Sequence, residues 1–323
     1  MTMDTPKTLQ SAIKHYSDEQ VCIDAVARMR WADGVPVCPA CGHKEHYYLK
    51  TQHRWKCKEC YKQFTVKLGT VFEDSPISLT KWLPALWMLC NCKNGISSYE
   101  LARDLGVSQK AGWFMLQRLR LALQDGGVVK LGGSGSEVEV DETFIGGKAR
   151  NMHKSKKVGK GYEHRGIINK TVVMGMLERG GKVTTKIIKE RDKDTLHGHV
   201  QACIQEGTNL YTDEWGPYTG LDEQYVHQVI NHAERYVDGK VHTNGMENFW
   251  SLLKRGLNGT YVSVEPFHLF RYVDEQVFRY NHRKGTDGNK ISDSDRFQLA
   301  LSQIAGKRLT FAEVTGKVGE TAF

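Results

Sequence analysis

Four cysteines carry the first piece of chemistry. Cys38-Pro-Ala-Cys41 and Cys57-Lys-Glu-Cys60 are two CxxC knuckles separated by 15 residues. Each tight turn offers two thiolates, and two such turns close a tetrahedron around one Zn2+. Four protein ligands leave no open coordination position, so the expected site is structural: one zinc on Cys38, Cys41, Cys57 and Cys60. No thioredoxin-like strand–helix–strand pattern surrounds the knuckles, which argues against a redox pair. His43, His46 and His53 are expected at the surface rather than on the metal. Cys22, Cys90, Cys92 and Cys203 are scattered in apolar surroundings, which fits a reducing compartment better than a disulfide framework.

Acidic residues carry the second piece. Asp141 lies in Val138-Glu139-Val140-Asp141-Glu142-Thr143, Asp213 in Leu210-Tyr211-Thr212-Asp213-Glu214-Trp215, and Glu247 early in a later helix. Carboxylates drawn together from distant segments repel, and they stay ionised together only when cations neutralise them. Such hard oxygen donors suit Mg2+ or Mn2+. Two of these ions about 3.5–4 Å apart serve phosphodiester chemistry without a protein nucleophile. The chain has 37 acidic residues, so residue type selects nothing and placement must do so. Glu139 shares a strand face with Asp141 and reads as a residue that supports the metal ligands, as an auxiliary ligand, or equally as a solvent-facing strand residue. Glu142 and Glu214 read as off-face neighbours. Asn244, one turn before Glu247, competes with it for the third position; Glu247 is preferred because it carries charge. Lys254 follows Glu247 by two helical turns and shares its face, where it could hold a phosphate. Arg255 adds a second cation for DNA.

The elements that must position these groups follow from periodicity and caps. Ser17 with Gln20 makes a capping-box pattern before a helix from about Asp18 to Arg30 that should bury Val21, Ala25 and Met29. Lys81 to Lys93 reads as a helix closed by Asn94-Gly95. Ser97 with Glu100 opens a short helix Ser98–Leu105, Gly106-Val107 turns, and Ser108 caps a helix to about Leu123. This is a helix-turn-helix outline, with Ser108, Gln109 and Lys110 at the start of the helix that would meet DNA. Strands are expected over Glu137–Ile145, Gly166–Leu177, Lys182–Ile188, Thr208–Tyr211 and Tyr225–Ile230. Helices are expected over Asp192–Gln205, Asn244–Arg255 and Pro266–Asn281. Three strands, a helix and a crossover strand give a mixed α/β sheet with helices on its faces.

Charge and composition narrow the partners. The 323 residues are 40% hydrophobic and 25% charged, ordinary for globular domains, with 45 Lys and Arg against 37 Asp and Glu for a net charge of +8. The excess is concentrated. The zinc segment carries Lys44, Lys50, Arg54, Lys56, Lys58, Lys62 and Lys67 among Tyr47, Tyr48 and Trp55. Residues 148–170 carry Lys148, Arg150, Lys154, Lys156, Lys157, Lys160, Arg165 and Lys170 against one acid, Glu163. A basic loop springing from the Asp141 strand would bring DNA phosphates toward the metals. The longest apolar run, near Leu83–Cys90, is far short of the roughly 18 residues a membrane span needs. The first residues have no apolar signal core. A cytoplasmic protein, nucleoid-associated when bound to DNA, with no membrane partner, is expected.

The CPACG and CKEC knuckles, VEVDETFIGG, YTDEWGPY and HTNGMENFWSLLKRGLNGTY together resemble the zinc-ribbon DDE transposases of bacterial insertion sequences, the ISXO-two-like group. The resemblance runs from about Asp18 to near Leu309. It implies an RNase H-like catalytic domain, two divalent metals, and cut-and-join chemistry on DNA ends. Asp141 and Asp213 fall on the family's two aspartates. The third position is Asn or Glu among members, so Asn244 and Glu247 both remain. Lys254 falls on the basic residue two turns after the third acid. The implied layout is a helical segment (1–34), a zinc ribbon (35–70), a helix-turn-helix-like DNA-binding domain (71–125), a flexible Gly/Ser linker (126–136), an RNase H-like domain (137–310) and a tail (311–323). The expected protein is an insertion-sequence transposase that cleaves and joins element ends into target DNA, as a homodimer or higher assembly on DNA. The competing expectations are a domesticated, catalytically silent DNA-binding regulator, and a nuclease of the same fold that cuts without joining.

Overall fold

The computed structural model describes residues 5–124, 130–147, 170–230, 242–285 and 287–317. The chain forms two compact units. One joins Met1–Gln124 to His282–Ala322, and the other is Asp125–Asn281. In chain order the first unit holds α1 (Leu9–His15), α2 (Glu19–Arg30), β1 (His46–Leu49), β2 (Arg54–Cys57), β3 (Gln63–Phe64), α3 (Leu79–Asn91), α4 (Ser98–Leu105) and α5 (Gln109–Ala122). The second holds β4 (Glu137–Ile145), β5 (Thr171–Glu178), β6 (Val183–Ile188), α6 (Lys193–Cys203), β7 (Asn209–Asp213), β8 (Val226–Ile230), α7 (Asn244–Arg255) and α8 (Leu269–Asn281). The chain then returns to the first unit with α9 (Asp293–Ser302) and the short α10 (Phe311–Val314).

The first unit is built around α3. Every residue from Trp82 to Cys90 is buried, as an all-round apolar helix requires, and α1, α2, α5 and α9 pack on it. Asp18, not Ser17, caps α2, accepting from Gln20 N at 2.7 Å. The buried residues of α2 are Cys22, Ile23, Ala25 and Val26, while Val21 is half-buried and Met29 is 37% exposed. The expected Val21–Met29 face is therefore rotated. Apolar side chains occupy a broad arc of this helix, and α3 and α9 pack on it. The helix α1 has no counterpart in the sequence reading. Its capping box uses Ser11 where the usual pattern has Glu or Gln.

The zinc segment is a three-stranded antiparallel ribbon, β1-β2-β3. Trp55 stacks on Phe64 at 5.8 Å and meets the edge of Trp31 at 5.6 Å. The helix-turn-helix outline holds: Ser97 and Glu100 close a capping box, and Gly106 ends α4 at φ 59°. At Gly112 a Cβ would lie 3.0 Å from Ser98 O and 3.4 Å from Ala102 Cβ, so glycine permits the close crossing of α4 and α5.

Residues from 282 onward were expected in the catalytic domain up to 310, but they cluster with the first unit. The reason is local bonding. Phe297 of α9 packs against Tyr16 and Trp87 at 5.5 and 5.3 Å. Val71 N donates to Ile304 O at 3.1 Å, Gly306 N to Gly69 O at 2.9 Å, and Lys307 Nζ to Gln124 O at 2.8 Å.

The second unit is a five-stranded mixed sheet in the order β6-β5-β4-β7-β8. β4, β5 and β6 are antiparallel neighbours, and β7 and β8 run parallel to β4. This is the RNase H-like arrangement. Side chains alternate across β4. Val138 and Val140 enter a core with Leu196 and Val200 of α6. The opposite face packs Val173 and Leu177 against Met246, Phe249, Trp250 and Leu253 of α7.

Residues 126–129 of the expected linker lie outside the described residues. Residues 130–136 are tied to this sheet: Leu131 N donates to Cys203 O at 2.8 Å, Gln205 N to Leu131 O at 2.9 Å, and Gly133 N to Thr208 Oγ1 at 2.9 Å. Gly132, at φ 83°, sits where a Cβ would lie 2.4 Å from Thr208 Oγ1, so its glycine serves close approach rather than looseness. Among the described residues no helix is long and apolar enough to cross a membrane.

Candidate active site and metal centre

Asp141 points to the α7 side of the sheet, because Val138 and Val140 point to the α6 side. The parallel register pairs Glu137 with Asn209, Val138 with Leu210 and Glu139 with Tyr211. Two residues further along both strands lie Asp141 and Asp213, on neighbouring strands and the same face. Burial pushes the Asp141 carboxyl up to about 7, and the negative charges of Asp213 and then Glu142 add to the rise. Trp250 Nε1 opposes it with a 2.9 Å hydrogen bond to Asp141 Oδ2.

Gly175 of β5 is the register partner of Asp141. A Cβ there would lie 2.2 Å from Met246 Cε and 2.7 Å from Trp250 Cζ2. The missing side chain lets α7 approach the sheet beside Asp141. A glycine inside an otherwise apolar strand is the sequence signal for such an approach.

Glu139 is not solvent-facing, and both of its oxygens are engaged within the protein. Its side chain is 1% exposed. Oε1 accepts from Arg179 Nε at 2.8 Å and lies 3.3 Å from His242 Nδ1, while Oε2 accepts from Met246 N at 2.9 Å. Glu142 is off-face, as expected, but it is also engaged. Tyr218 donates its hydroxyl to one oxygen, and Arg191 Nη2 lies 3.3 Å from the other. Burial pushes the Glu142 carboxyl up against the pull of Tyr218 and Arg191. Burial, then Glu142, pushes the Tyr218 hydroxyl well above its ordinary value. The Arg191 guanidinium lies 3.8 Å from the Trp215 ring centre and 4.8 Å from that of Phe144. Trp215 and Tyr218 of YTDEWGPY thus brace the loop after Asp213. Glu214 is exposed.

Asn244, Glu247, Lys254 and Arg255 are all exposed on α7, whose buried residues are Met246, Phe249, Trp250 and Leu253. Among the described residues, the groups of three or more potential ligands with atoms within 4.8 Å of one another comprise only the four zinc-ribbon cysteines. Asp141, Asp213 and Glu247 are not drawn that close.

The four sulfurs Cys38, Cys41, Cys57 and Cys60 do gather, with the Cys38–Cys60 and Cys41–Cys57 pairs each 3.6 Å apart. Gly42 follows one knuckle at φ 76° and Tyr61 follows the other at φ 59°. Gly42 N donates to Cys38 O at 2.8 Å. Burial raises the Cys38 thiol, but the N–H groups of Ala40 and Cys41 and the neighbouring sulfurs outweigh it and lower it to about 7. On the outer face, Lys58 lies 5.3 Å over Tyr47 and Lys56 lies 5.7 Å over Tyr61.

The residues expected to meet DNA on α5 have internal roles. Ser108 Oγ accepts from Ala111 N at 3.2 Å as the cap. Gln109 Nε2 donates to Ser98 Oγ at 2.9 Å. Lys110 Nζ sits 4.8 Å over the Phe311 ring. From Met115 to Arg120 this helix is buried, so its first turn is the part that faces outward. Lys154, Lys156, Lys157 and Lys160 lie outside the described residues.

Comparison with known proteins adds three findings. Residues 130–281 match the family model described as ISXO2-like transposase domain. Residues 17–63 match the transposase zinc-ribbon domain. The chain is 30% identical over 258 residues to an uncharacterized protein in transposable element ISH50 of Halobacterium salinarum, spanning 76% of this chain and 85% of that one. The matched ribbon and the four-sulfur cluster together support one structural Zn2+.

Proposed function

We propose, on the premise that this chain belongs to the ISXO2-like transposase family, that it binds the ends of its insertion sequence, cleaves their 3′ strands and joins them to target DNA. The observation that carries this reading is the side-by-side placement of Asp141 and Asp213 on one face of the sheet, with α7 docked against it. Asp213 adds to the proton affinity of buried Asp141, and two such neighbouring carboxylates form a hard anionic donor set, which fits Mg2+ or Mn2+. In this reading Asp141 and Asp213 hold the cations, and Glu247 or Asn244 on the exposed face of α7 supplies the third donor. Two such cations, when bound, would supply the positive charge that activates the attacking oxygen and stabilises the leaving one.

The chain's own groups do the rest. Lys254 and Arg255, exposed two turns along the same helix, hold DNA phosphates. The zinc ribbon and the first turn of α5 grip the element end, with Lys56 and Lys58 on the outer ribbon face. The basic segment carrying Lys154, Lys156, Lys157 and Lys160 follows β4 in the sequence and adds positive charge for DNA. A water first hydrolyses the phosphodiester at the element's 3′ end. The freed 3′-hydroxyl then attacks a target phosphodiester in line and releases a target 3′-hydroxyl. Joining two ends to one target calls for at least two protomers on DNA.

The test is strand transfer with a labelled element end, taken from inverted repeats flanking the gene, in Mg2+. Asp141→Asn should abolish joining and leave end binding nearly intact. Full joining by this variant would overturn the assignment. Wild-type binding with no cleavage would leave the regulator, and cleavage without joined products would leave the nuclease.

A further inference from the structure

We infer that Glu139 is a positioning residue, whose carboxylate on the Asp141 strand clamps the start of α7 and so fixes where that helix presents its donor. This rests on the reading of Asp141, Asp213 and α7 as the metal centre.

The first N–H groups of a helix have no partner within it. At α7 the N-cap residue, Thr243, makes no side-chain bond to them. Glu139 reaches across from β4 instead and accepts from Met246 N at 2.9 Å. A carboxylate at that end also suits the helix dipole. Its other oxygen is held by Arg179 Nε at 2.8 Å, and Arg179 Nη2 donates to His242 O at 2.7 Å, just before the helix. Arg179 also reaches Glu137 at 3.3 Å and lies 4.2 Å over the Tyr211 ring. The charge of Glu139 is thereby compensated, and both of its oxygens are committed within the protein.

Two glycines show that the fit is close. A Cβ on Gly245 would lie 2.7 Å from Glu139 Oε2, and one on Gly175 would lie 2.2 Å from Met246 Cε. The helix is thus fixed at Met246 by Glu139 and at Trp250 by Asp141. Glu247 lies between these two anchors, and Asn244 lies just before the first. A shift of the helix by a fraction of a turn would carry both candidate donors away from the aspartates.

Three measurements on the full zinc-loaded chain test this. Residue-resolved hydrogen exchange of the wild type should place the Met246 amide with the slowly exchanging core rather than with frayed first-turn amides; fast exchange there overturns the clamp without any variant. Glu139→Gln, which keeps the shape but presents a donor to one of the two donors it faces, should speed exchange over residues 244–250 and weaken Mn2+ binding, read by electron paramagnetic resonance, about tenfold. Adding Thr243→Asp, which supplies a carboxylate at the N-cap itself, should restore part of both. Loss of Mn2+ affinity with unchanged exchange would make Glu139 a ligand and overturn the inference, as would no change in either. Asp141→Asn serves as the separate control. If it leaves Mn2+ affinity intact, the metal-centre reading fails, while the exchange data still decide the clamp.

Discussion

Trp250 Nε1 donates to Asp141 Oδ2 at 2.9 Å, joining the buried face of α7 to the carboxylate on the sheet's central strand. The hydrogen bond favours the ionised form of a group that burial and Asp213 push the other way. One indole therefore both seats the helix and keeps this aspartate closer to its charged state.

Trp250→Phe keeps most of the packing and removes the donor. It should cost about 1–3 kcal/mol of stability, the range for leaving a buried acceptor without its partner. It should also raise the proton affinity of Asp141 further. Denaturant melts and carboxyl-resolved NMR titration of Asp141 measure the two effects.

Asp141 titrates at 3.8 in an ordinary setting and at about 7 in the folded protein. Between those values the folded chain holds a proton that the unfolded chain has released, so stability falls as pH rises through that window. Asp141→Asn removes this slope. Without divalent cations the variant should gain on the wild type from about pH 4 to about pH 8, with a ceiling on the order of 4 kcal/mol. Added Mg2+ should stabilise the wild type at the upper pH and leave the variant unmoved. Thermal melts across the range, with and without Mg2+, decide it.

Gly175→Ala places a methyl group into Met246 and Trp250. Overpacking of this kind costs about 1–3 kcal/mol. The damage should be local: exchange should quicken in α7 and stay slow in β7. Equal loosening of the whole sheet would contradict the close approach described for this position.

Zinc removal should act on the other unit. Chelation, or Cys57→Ser, should release one zinc per chain and unfold the β1–β3 ribbon, because the four thiolates gather only in the folded ribbon and zinc binding is therefore part of its folding energy. End binding should fall, while amides of β4 to β8 keep their protection. Exchange mass spectrometry with metal analysis reads both.

Much of this was legible in the chain. The paired knuckles gave away the ribbon, since their spacing admits few geometries. Strand alternation placed Asp141, and the Asp192–Gln205 helix pattern located the crossover that makes β7 parallel to β4. What stayed hidden depends on which groups meet across the fold. Glu139 reads equally as part of the metal site or as a solvent-facing strand residue until Arg179 and Met246 arrive from positions 40 and 107 residues away. The same holds for the Arg191–Trp215 stack, and for the face of α2, which its packing partners choose. Gly132 looked like part of a loose spacer because the threonine it touches lies 76 residues on.

The chain leaves its first unit at Gln124 and rejoins it at His282. The sheet-bearing unit is thus an insertion, and the helical one is stitched from both ends of the polypeptide. During synthesis the inserted unit emerges whole and can fold first. The α3 hub must wait for α9, with its Trp87 and Tyr16 surfaces bare until Phe297 arrives. A polypeptide cut short before α9 would therefore carry an unfinished helical half with those apolar surfaces uncovered.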